Sequence, residues 1–585
     1  MTYSRLSALG LVLAVFLCFQ TTRAQQTNPP DNDRKAAEAA LREKAFKLLD
    51  SLADQLGSLQ SAENRARIGS NIADSIWPHD EERARNLFRY VAEDIKLGLQ
   101  QSKDERYPSH TFAVFQKLRE DNVERIAKHD PELALTFLKD TFPLIQEAMQ
   151  RPDGETSQEI LRQEHALELR LAQKIGPKNV EVSVRLARQA LEKGFDDQLL
   201  MILIRLSDKN REQAQSLYKD IVRKLAEDDF SQYYWTANFA TQLVRNFRPP
   251  AADEATYREL LGVLLNKAIA KGCDRETAED DNERQTICGS IGGLVPLIEK
   301  FYPGQARRLR RWAPEGEQYT QDNFTQAYAE LNDLYVNGTV DEILSLQSKY
   351  PALSGEILIR AINRAEKEGD LERAQKIASS YTGDDVDTQH ALKHRLEFYS
   401  MSEEKLEAEW NKTEKSIDNL PPAERANELV TGGIIISVIS KKMALKILDR
   451  ASGMVELLSP GEKQTHFQIQ LALGYCLVKD DRGFAIMESL LPKLNELVAA
   501  AVKLDGYDTQ YLRDGEWNMS AAGSTGNLLT ELAGGAGYFA WFDFDRAVSL
   551  AGQFDRIEIR MMAQLKLAQG ILDGPPKPLA TTRGW

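Results

Sequence analysis

The stretch WPHDEERARNLF, residues 77–88, places a capping residue, a run of acids and a small residue in a fixed order. Asp80 stands four residues before Ala84, and the large apolar Leu87 and Phe88 follow one helical turn later. The same order returns in HDPELALTFL (129–138). The marked positions are Asp80 and Ala84, Asp130 and Ala134, Asp370 and Ala374, Asp481 and Ala485, and Asp543 and Ala547. Looser copies place Asn210 before Ala214, Ser440 before Ala444 and Ser183 before Ala187.

The chemistry of this pattern is local. An Asp, Asn or Ser side chain accepts a hydrogen bond from a free amide at a helix start, which is typically worth about 1 kcal/mol. Glu81 and Glu82 then place negative charge at the positive end of the helix dipole. Taken alone, the stretch suggests an acid–base site, but its recurrence favours a helix cap followed by a packing alanine. His79 is the member that the pattern leaves unexplained.

Apolar residues elsewhere in the chain recur with helical spacing. Ile68, Ile72 and Ile76 in RIGSNIADSIW (67–77) define one stripe of a helix. The β-branched stretch GGIIISVIS (432–440) lies between helical patterns and predicts a buried helix, with a strand as the alternative. The marker alanines are separated by 27 to 160 residues. We therefore expect an all-α fold, an irregular right-handed α-solenoid of stacked helical hairpins with little or no β-structure.

The stretch AEKEGDLERAQKIASSY (365–381) resembles tetratricopeptide-like repeats. Helical hairpins of that family turn at a Gly-Asp and carry a small residue early in the second helix. The Trp–Leu–Gly–Tyr pattern of the family's first helix is not regular in this chain. The resemblance thus implies an architecture of helical repeats and no particular activity.

The first 24 residues have the order of a secretory signal. MTYSR supplies positive charge, LSALGLVLAVFLCF is a short apolar run, and TTRA precedes a cleavage site after Ala24. Lipidation at Cys18 is disfavoured because Leu17 is not the small residue that this modification requires. We expect an exported, soluble protein, periplasmic or secreted, and the short signal is typical of bacteria.

The remaining boundaries follow composition. Residues 25–35 are a polar, flexible leader. The stretch RRWAPEGEQYTQDN (310–323) combines Pro, Gly and polar residues and predicts a division between an N-terminal helical half, 36–314, and a C-terminal helical half, 315–572. Residues 573–585 cannot continue a helix, and we expect a disordered tail there.

Charge and cysteine content limit the possible partners. Removing Arg5 and Arg23 with the signal changes the net charge from −14 to −16, and such a surface disfavours nucleic acid and anionic membranes. Cys273 and Cys288 border a polar loop between two apolar runs, so they either form a disulfide across a helical hairpin or remain unpaired thiols. Cys476 has the surroundings of a small buried apolar residue.

No group of residues predicts catalysis, a cofactor or a metal. His390 and His394 lie one helical turn apart, but without further ligands a solvated helix face is favoured over a metal site. The glycines of AAGSTGNLLTELAGGAGYFAW (521–541) permit close helix contact or, as the alternative, a hinge beside a ligand cleft. The aromatic stretches FSQYYWTANF (230–239) and GYFAWFDF (537–544) favour helix packing over a peptide or sugar cleft.

Two functions remain open at this point. The favoured one is an exported helical-repeat scaffold, without catalysis, that presents a concave surface to a protein or peptide partner. The alternative is a cell-envelope enzyme that acts on polysaccharide from a helical toroid or superhelix. Such an enzyme would gather Asp or Glu with Trp and Tyr around one deep pocket, whereas the scaffold would present an open groove.

Overall fold

The computed structural model of the chain describes most of residues 31–575. The segments left out inside that range are 103–107, 150–153, 177–178, 229, 231–232, 275–281, 313–326, 329, 333, 336–337, 369, 381–400, 438, 508 and 521–522. The predicted signal, residues 25–30 of the leader, most of the predicted tail and both His390 and His394 lie outside the described residues. Residues 31–35 of the predicted leader belong to the first described helix.

The fold is all-α, as predicted from the sequence. The helices are α1 Asp31–Gln55, α2 Ala62–Ile76, α3 Glu81–Gln101, α4 Pro108–His129, α5 Pro131–Met149, α6 Gly154–Ile175, α7 Val180–Lys193, α8 Asp197–Lys209, α9 Arg211–Glu227, α10 Tyr233–Asn246, α11 Glu254–Ala270, α12 Asn282–Gly292, α13 Val295–Phe301, α14 Pro303–Ala306, α15 Val340–Lys349, α16 Ser354–Glu368, α17 Leu371–Ser379, α18 Glu403–Ile417, α19 Pro422–Ile436, α20 Lys441–Glu456, α21 Glu462–Leu477, α22 Arg482–Lys503, α23 Ser524–Phe542, α24 Phe544–Ala551 and α25 Ile557–Leu572. Short 3₁₀ turns cover Leu56–Ser58, Arg307–Trp312 and Pro351–Leu353. GGIIISVIS begins inside α19, so its described part is mainly helical.

The described residues contain one small β-sheet, which is a two-stranded hairpin. Strands β1, Leu512–Arg513, and β2, Glu516–Trp517, pair antiparallel between α22 and α23. Asp514 and Gly515 form the turn, and both have positive φ angles. Sequence periodicity did not predict this hairpin, because two-residue strands are too short to show an alternating pattern.

The chain divides by its contacts into two compact units. The second unit, residues 95–330, contains consecutive helices that pack on the next helix and often on the next but one, as α6 does with α7 and α8. This is the contact pattern of stacked helical hairpins. The solenoid arrangement, its handedness and the division into sequential halves 36–314 and 315–572 stay predictions.

The first unit joins residues 1–94 to residues 331–585. The first described helices pack on the last one: α1 and α2 both contact α25. Their apolar faces share one core with α21 to α25, which includes Leu49, Ile72 and Leu565. Within this unit the first two described helices and the last described helix therefore bury one another's apolar faces.

Most of the marked positions act as helix caps with a buried small residue. The side chains of Asp80, Asp130, Asp370 and Asp543 each accept a hydrogen bond from the amide three residues later, at 2.9 to 3.1 Å. Asn210 and Ser440 do the same at 3.2 Å. The alanines that follow them are buried, at positions 84, 134, 214, 374, 444 and 547.

Two copies of the pattern differ from this arrangement. Asp481 makes no side-chain cap and Ala485 is exposed. The close approach is made by the buried Gly483, where an added Cβ would lie 2.5 Å from Cys476 Sγ. Ser183 lies inside α7 and donates to the Ala172 carbonyl at 2.7 Å.

The physical reason differs between the two copies. Asp481 is in the capping position of α22 but has a helical backbone, whereas Ser183 lies three residues inside α7. In the first copy, the Asp480 side chain accepts from the Arg482 amide at 3.0 Å, so the preceding aspartate takes the bond expected of Asp481. In the second copy, Asn179 caps α7 and accepts from the Val182 amide at 3.2 Å.

Candidate functional site

An apolar pocket of about 230 Å³ lies in the first unit, between the β1–β2 hairpin and helices α2 and α22 to α25. Its wall is formed mainly by Met, Leu, Ile, Phe and Ala side chains. The residues that matter for its shape and charge are Arg67, Trp517, Gly526, Ala536, Ala563 and Lys566. Predominantly apolar walls with a few polar groups are typical of small-molecule sites.

The pocket exists because small residues occupy its lining where three helices meet. Gly526, Ala533 and Ala536 lie on α23, while Ala547 and Ala563 contribute from α24 and α25. Each of these positions leaves space that a larger side chain would fill. The glycine-rich stretch of the sequence analysis therefore forms one wall of the pocket as part of a continuous helix, α23.

Glycines also set the contact between α23 and α25. A Cβ added at Gly570 would lie 2.4 Å from Gly537 Cα, so the two backbones touch directly. The Trp541 indole donates from Nε1 to the Gly570 carbonyl at 2.8 Å. Gly535 serves a third contact, because an added Cβ there would lie 2.3 Å from Leu473. Close helix contact is thus the role that the structure gives to these glycines.

The two charged side chains among the lining residues are both basic, Arg67 and Lys566. Arg67 donates from Nη2 to Glu63 Oε1 at 2.7 Å and to Ser520 Oγ at 2.8 Å. Its Nε is buried and has no hydrogen-bond partner among the described residues. Lys566 donates from Nζ to Gln569 Oε1 at 3.0 Å. Both charged side chains of the lining are therefore basic, although the chain as a whole is strongly acidic, and Arg67 is paired with the buried Glu63.

A buried polar junction lies beside the pocket and joins α2 to the hairpin. The carboxylate of Glu516 accepts hydrogen bonds from the Gln60 amide at 2.7 Å, the Ser61 amide at 3.1 Å and Asn64 Nδ2 at 3.1 Å. Ser61, the residue in the capping position of α2, makes no side-chain cap. A carboxylate more than 450 residues away in sequence therefore caps α2, where the dipole favours negative charge.

Two further buried carboxylates complete the junction. Glu63 pairs with Arg67 at 2.7 Å and also with Arg513 of strand β1. Glu558, in the first turn of α25, accepts from the Trp517 amide at 2.6 Å and pairs with Arg556 at 2.5 Å. Since Glu63, Glu516 and Glu558 all have bonded partners, their arrangement is that of a structural network that holds the hairpin.

A pair between a histidine and a glutamate joins α21 to α23. His466 Nδ1 lies 2.7 Å from Glu531 Oε2, and this hydrogen bond raises the pKa of His466 above its ordinary value. Gln470, one turn along α21, also donates to Glu531. Glu531 follows Thr530 and precedes Leu532, both of which line the pocket. This ionisable pair therefore helps to hold α23 in place against α21.

The residues of WPHDEERARNLF belong to a different part of the first unit. The His79 ring stacks on Phe46, with 4.2 Å between the centroids and 10° between the planes, which accounts for the member that the repeat left unexplained. Glu81 pairs with Arg85 one helical turn along, at 2.8 Å. Asp80 and Glu82 border a shallow exposed groove. The stacking of His79, the Glu81–Arg85 pair and the Asp80 cap are therefore all structural contacts.

The three described cysteines lie in the second unit and in α21. Cys273 and Cys288 form a disulfide, with 5.5 Å between their Cα atoms and 15 residues between them in sequence. Cys476 is free and buried, and burial raises its thiol pKa to about 12. Aromatic residues of both predicted concentrations enter the cores, since Phe230, Phe239, Phe539 and Phe544 are all buried.

Sequence reasoning did not select the pocket residues Arg67 and Lys566 or the junction residue Glu516. Among the described residues no three His, Cys, Asp or Glu side chains gather as a metal site. None of the described helices has the length and apolar character needed to cross a bilayer. No protein-family model matches the chain, and no curated protein is significantly similar to it.

Proposed function

We propose that the protein is an exported helical-repeat scaffold that binds a partner by taking an apolar group of that partner into the pocket of the first unit. The observation that carries this proposal is the pocket itself, whose walls are apolar and formed by small residues on three helices. Burial of apolar surface is the main favourable term in such binding.

Three other features support the proposal. The sequence of residues 365–381 resembles tetratricopeptide-like repeats, which fits a binding scaffold. The disulfide between Cys273 and Cys288 fits an oxidising compartment outside the cytoplasm. The polysaccharide-acting alternative needs a pair of carboxyl groups facing a cleft, and no Asp or Glu is among the residues that line this pocket.

A neutral fluorescent probe tests the proposal. N-phenyl-1-naphthylamine should bind the purified mature protein at one site per chain, with its naphthyl ring in the pocket and its phenyl ring at the mouth. Binding should give the fluorescence increase that accompanies transfer to an apolar environment. Ala563→Phe should abolish the signal, because the new ring occupies the pocket from the α25 side. Ala485→Phe is the matched control, since Ala485 is an exposed helical alanine outside the pocket lining.

Circular dichroism and the unfolding midpoint establish that both variants are folded. Equal probe binding by the two folded variants would show that the pocket is not the binding site. A search for copurifying partners, repeated with Ala563→Phe, then tests whether the same pocket serves the partner.

A further inference from the structure

The charge on the pocket wall indicates what kind of apolar molecule fits. A wall that served only to bury hydrocarbon would need no charged side chain, because a charged group carries a desolvation cost. Here both charged side chains are basic, and Arg67 is paired with Glu63 through Nη2. Arg67 and Lys566 both line the pocket, and the buried Nε of Arg67 has no hydrogen-bond partner among the described residues. This arrangement fits an apolar ligand with one anionic end.

The size of the pocket limits the apolar part. A dry cavity of about 150 Å³ lined by aliphatic and aromatic residues holds benzene, a molecule of six carbons. In proportion, the 230 Å³ available here accommodates roughly nine carbons. A longer chain would have to leave part of its length at the mouth.

The polarity of the lining distinguishes a hydrocarbon chain from a peptide. A peptide segment would bring backbone N–H and C=O groups that need hydrogen-bond partners when buried. Beside Arg67 and Lys566, the lining offers one hydroxyl, that of Thr530, and the indole of Trp517. An acyl chain needs polar partners at its carboxylate alone, so the lining suits it better.

We infer that the pocket binds the carboxylate form of a medium-chain fatty acid, with the chain among α22 to α25 and the carboxylate at Arg67 and Lys566. This inference rests on the proposed function and names the chemical class of the bound group. Charge-assisted hydrogen bonds from a guanidinium or ammonium to a carboxylate are the strong ones in proteins.

Because the protein is acidic overall, a preference for anionic over cationic ligands is informative about the pocket. With a net charge of −14, the long-range field attracts cations and repels anions. A preference for an anionic head group must therefore come from local basic side chains. Non-specific adsorption to the surface would show the opposite preference.

Isothermal titration calorimetry with a set of nine-carbon ligands tests the head group. At pH 7.5 we expect nonanoate to bind the mature protein roughly ten-fold more tightly than 1-nonanol. Nonyltrimethylammonium should bind more weakly than both. Within the series hexanoate to dodecanoate, each added methylene should at first tighten binding roughly four-fold, and the gain should stop near nine or ten carbons.

Variants assign the selectivity to the basic residues. Lys566→Gln should weaken nonanoate binding several-fold and leave 1-nonanol unchanged. Lys493→Gln is the control, because Lys493 is another half-buried lysine of the first unit and lies outside the pocket lining. Arg67→Lys gives a second test that keeps the charge next to Glu63 but removes Nε as a donor, and it should also weaken nonanoate selectively.

The outcomes separate the two proposals. Equal binding of nonanoate and 1-nonanol, with loss of both in Ala563→Phe, would overturn the carboxylate inference and leave the proposed function standing. Binding of an apolar peptide in preference to nonanoate would also overturn the inference. Absence of binding by every probe, N-phenyl-1-naphthylamine included, would overturn both.

Discussion

Replacing Glu516 by alanine should destabilise the start of α2 far more than the loss of an ordinary helix cap. Glu516 is 6% exposed, and its carboxylate accepts from the amides of Gln60 and Ser61 and from the side chain of Asn64. The variant removes all three acceptor contacts at once. Water can replace the contact at the exposed Gln60, but it cannot readily replace the two buried contacts at Ser61 and Asn64.

The expected size follows from counting those donors. A buried donor left without a partner costs about 1 to 3 kcal/mol, so the Ser61 amide and the Asn64 side chain together account for roughly 3 kcal/mol. Asp80→Ala provides the comparison, because Asp80 is an exposed cap with one bond to the Arg83 amide. That variant should cost about 1 kcal/mol. Glu516→Gln should fall between the two, since the amide oxygen still accepts from some of these donors.

Hydrogen exchange read by mass spectrometry is the appropriate assay, because a chain with two compact units need not unfold in one step. Peptides that cover Ala62–Ile76 should exchange roughly a hundredfold faster in Glu516→Ala, which corresponds to about 3 kcal/mol of local opening. Peptides from α9, in the second unit, should not change. The comparison is between α2 in Glu516→Ala and α3 in Asp80→Ala. If exchange in α2 is accelerated no more than exchange in α3, the assignment of Glu516 as the buried cap is refuted.

Three further predictions concern separate contacts. Gly570→Ala should destabilise the first unit by about 1 to 3 kcal/mol, because its Cβ would meet Gly537 Cα at 2.4 Å. Gly534→Ala, with nothing within 4 Å, should instead stabilise it by up to about 1 kcal/mol; urea unfolding compares the two, and the same sign for both would contradict the packing. Cys273→Ser with Cys288→Ser should lower the stability of the second unit by about 3 kcal/mol, as expected for a closed loop of this length, and unchanged protease resistance of that unit would contradict this. The raised pKa of His466 means that its pair with Glu531 stabilises the folded state fully below the unfolded pKa of about 6.5 and is lost as pH rises through the folded value. His466→Gln should therefore cost about 0.5 kcal/mol at pH 5.5, a value reduced for the exposure of the ring, and much less at pH 8.5; an equal loss at both pH values would exclude the ionic contribution.

Sequence patterns predicted the fold class because its determinants are local. A helix cap such as Asp130 and its packing alanine are four residues apart, so one short window contains the whole signal. The pattern failed where two candidates stood side by side. At Asp480 and Asp481 the spacing rule selected the second, whereas the chain places the capping bond on the first.

The site could not be predicted in the same way. Glu516 and Ser61 are 455 residues apart, and no periodicity relates such positions. Arg67 lies on the amphipathic helix α2, where a basic residue normally indicates a solvated face. Lys566 lies on the mainly apolar helix α25 and belongs to no motif. The one available signal was the glycine- and alanine-rich α23, which indicated close packing but not that space would remain beside it.

The pocket and the buried junction are physically linked, because they share Arg67. This side chain lines the pocket and also pairs with Glu63, which in turn pairs with Arg513 of the hairpin. Arg67 reaches the pocket only while α2 packs on α25, and that packing is held in part by Glu516. A ligand that contacts Arg67 therefore binds the packed state alone and stabilises it by mass action, by about 2.7 kcal/mol at a free concentration of 100 times Kd. By the same linkage, any change that loosens the junction weakens ligand binding, even where it touches no pocket residue. The reason is that the binding-competent state is then less populated, which lowers the apparent affinity.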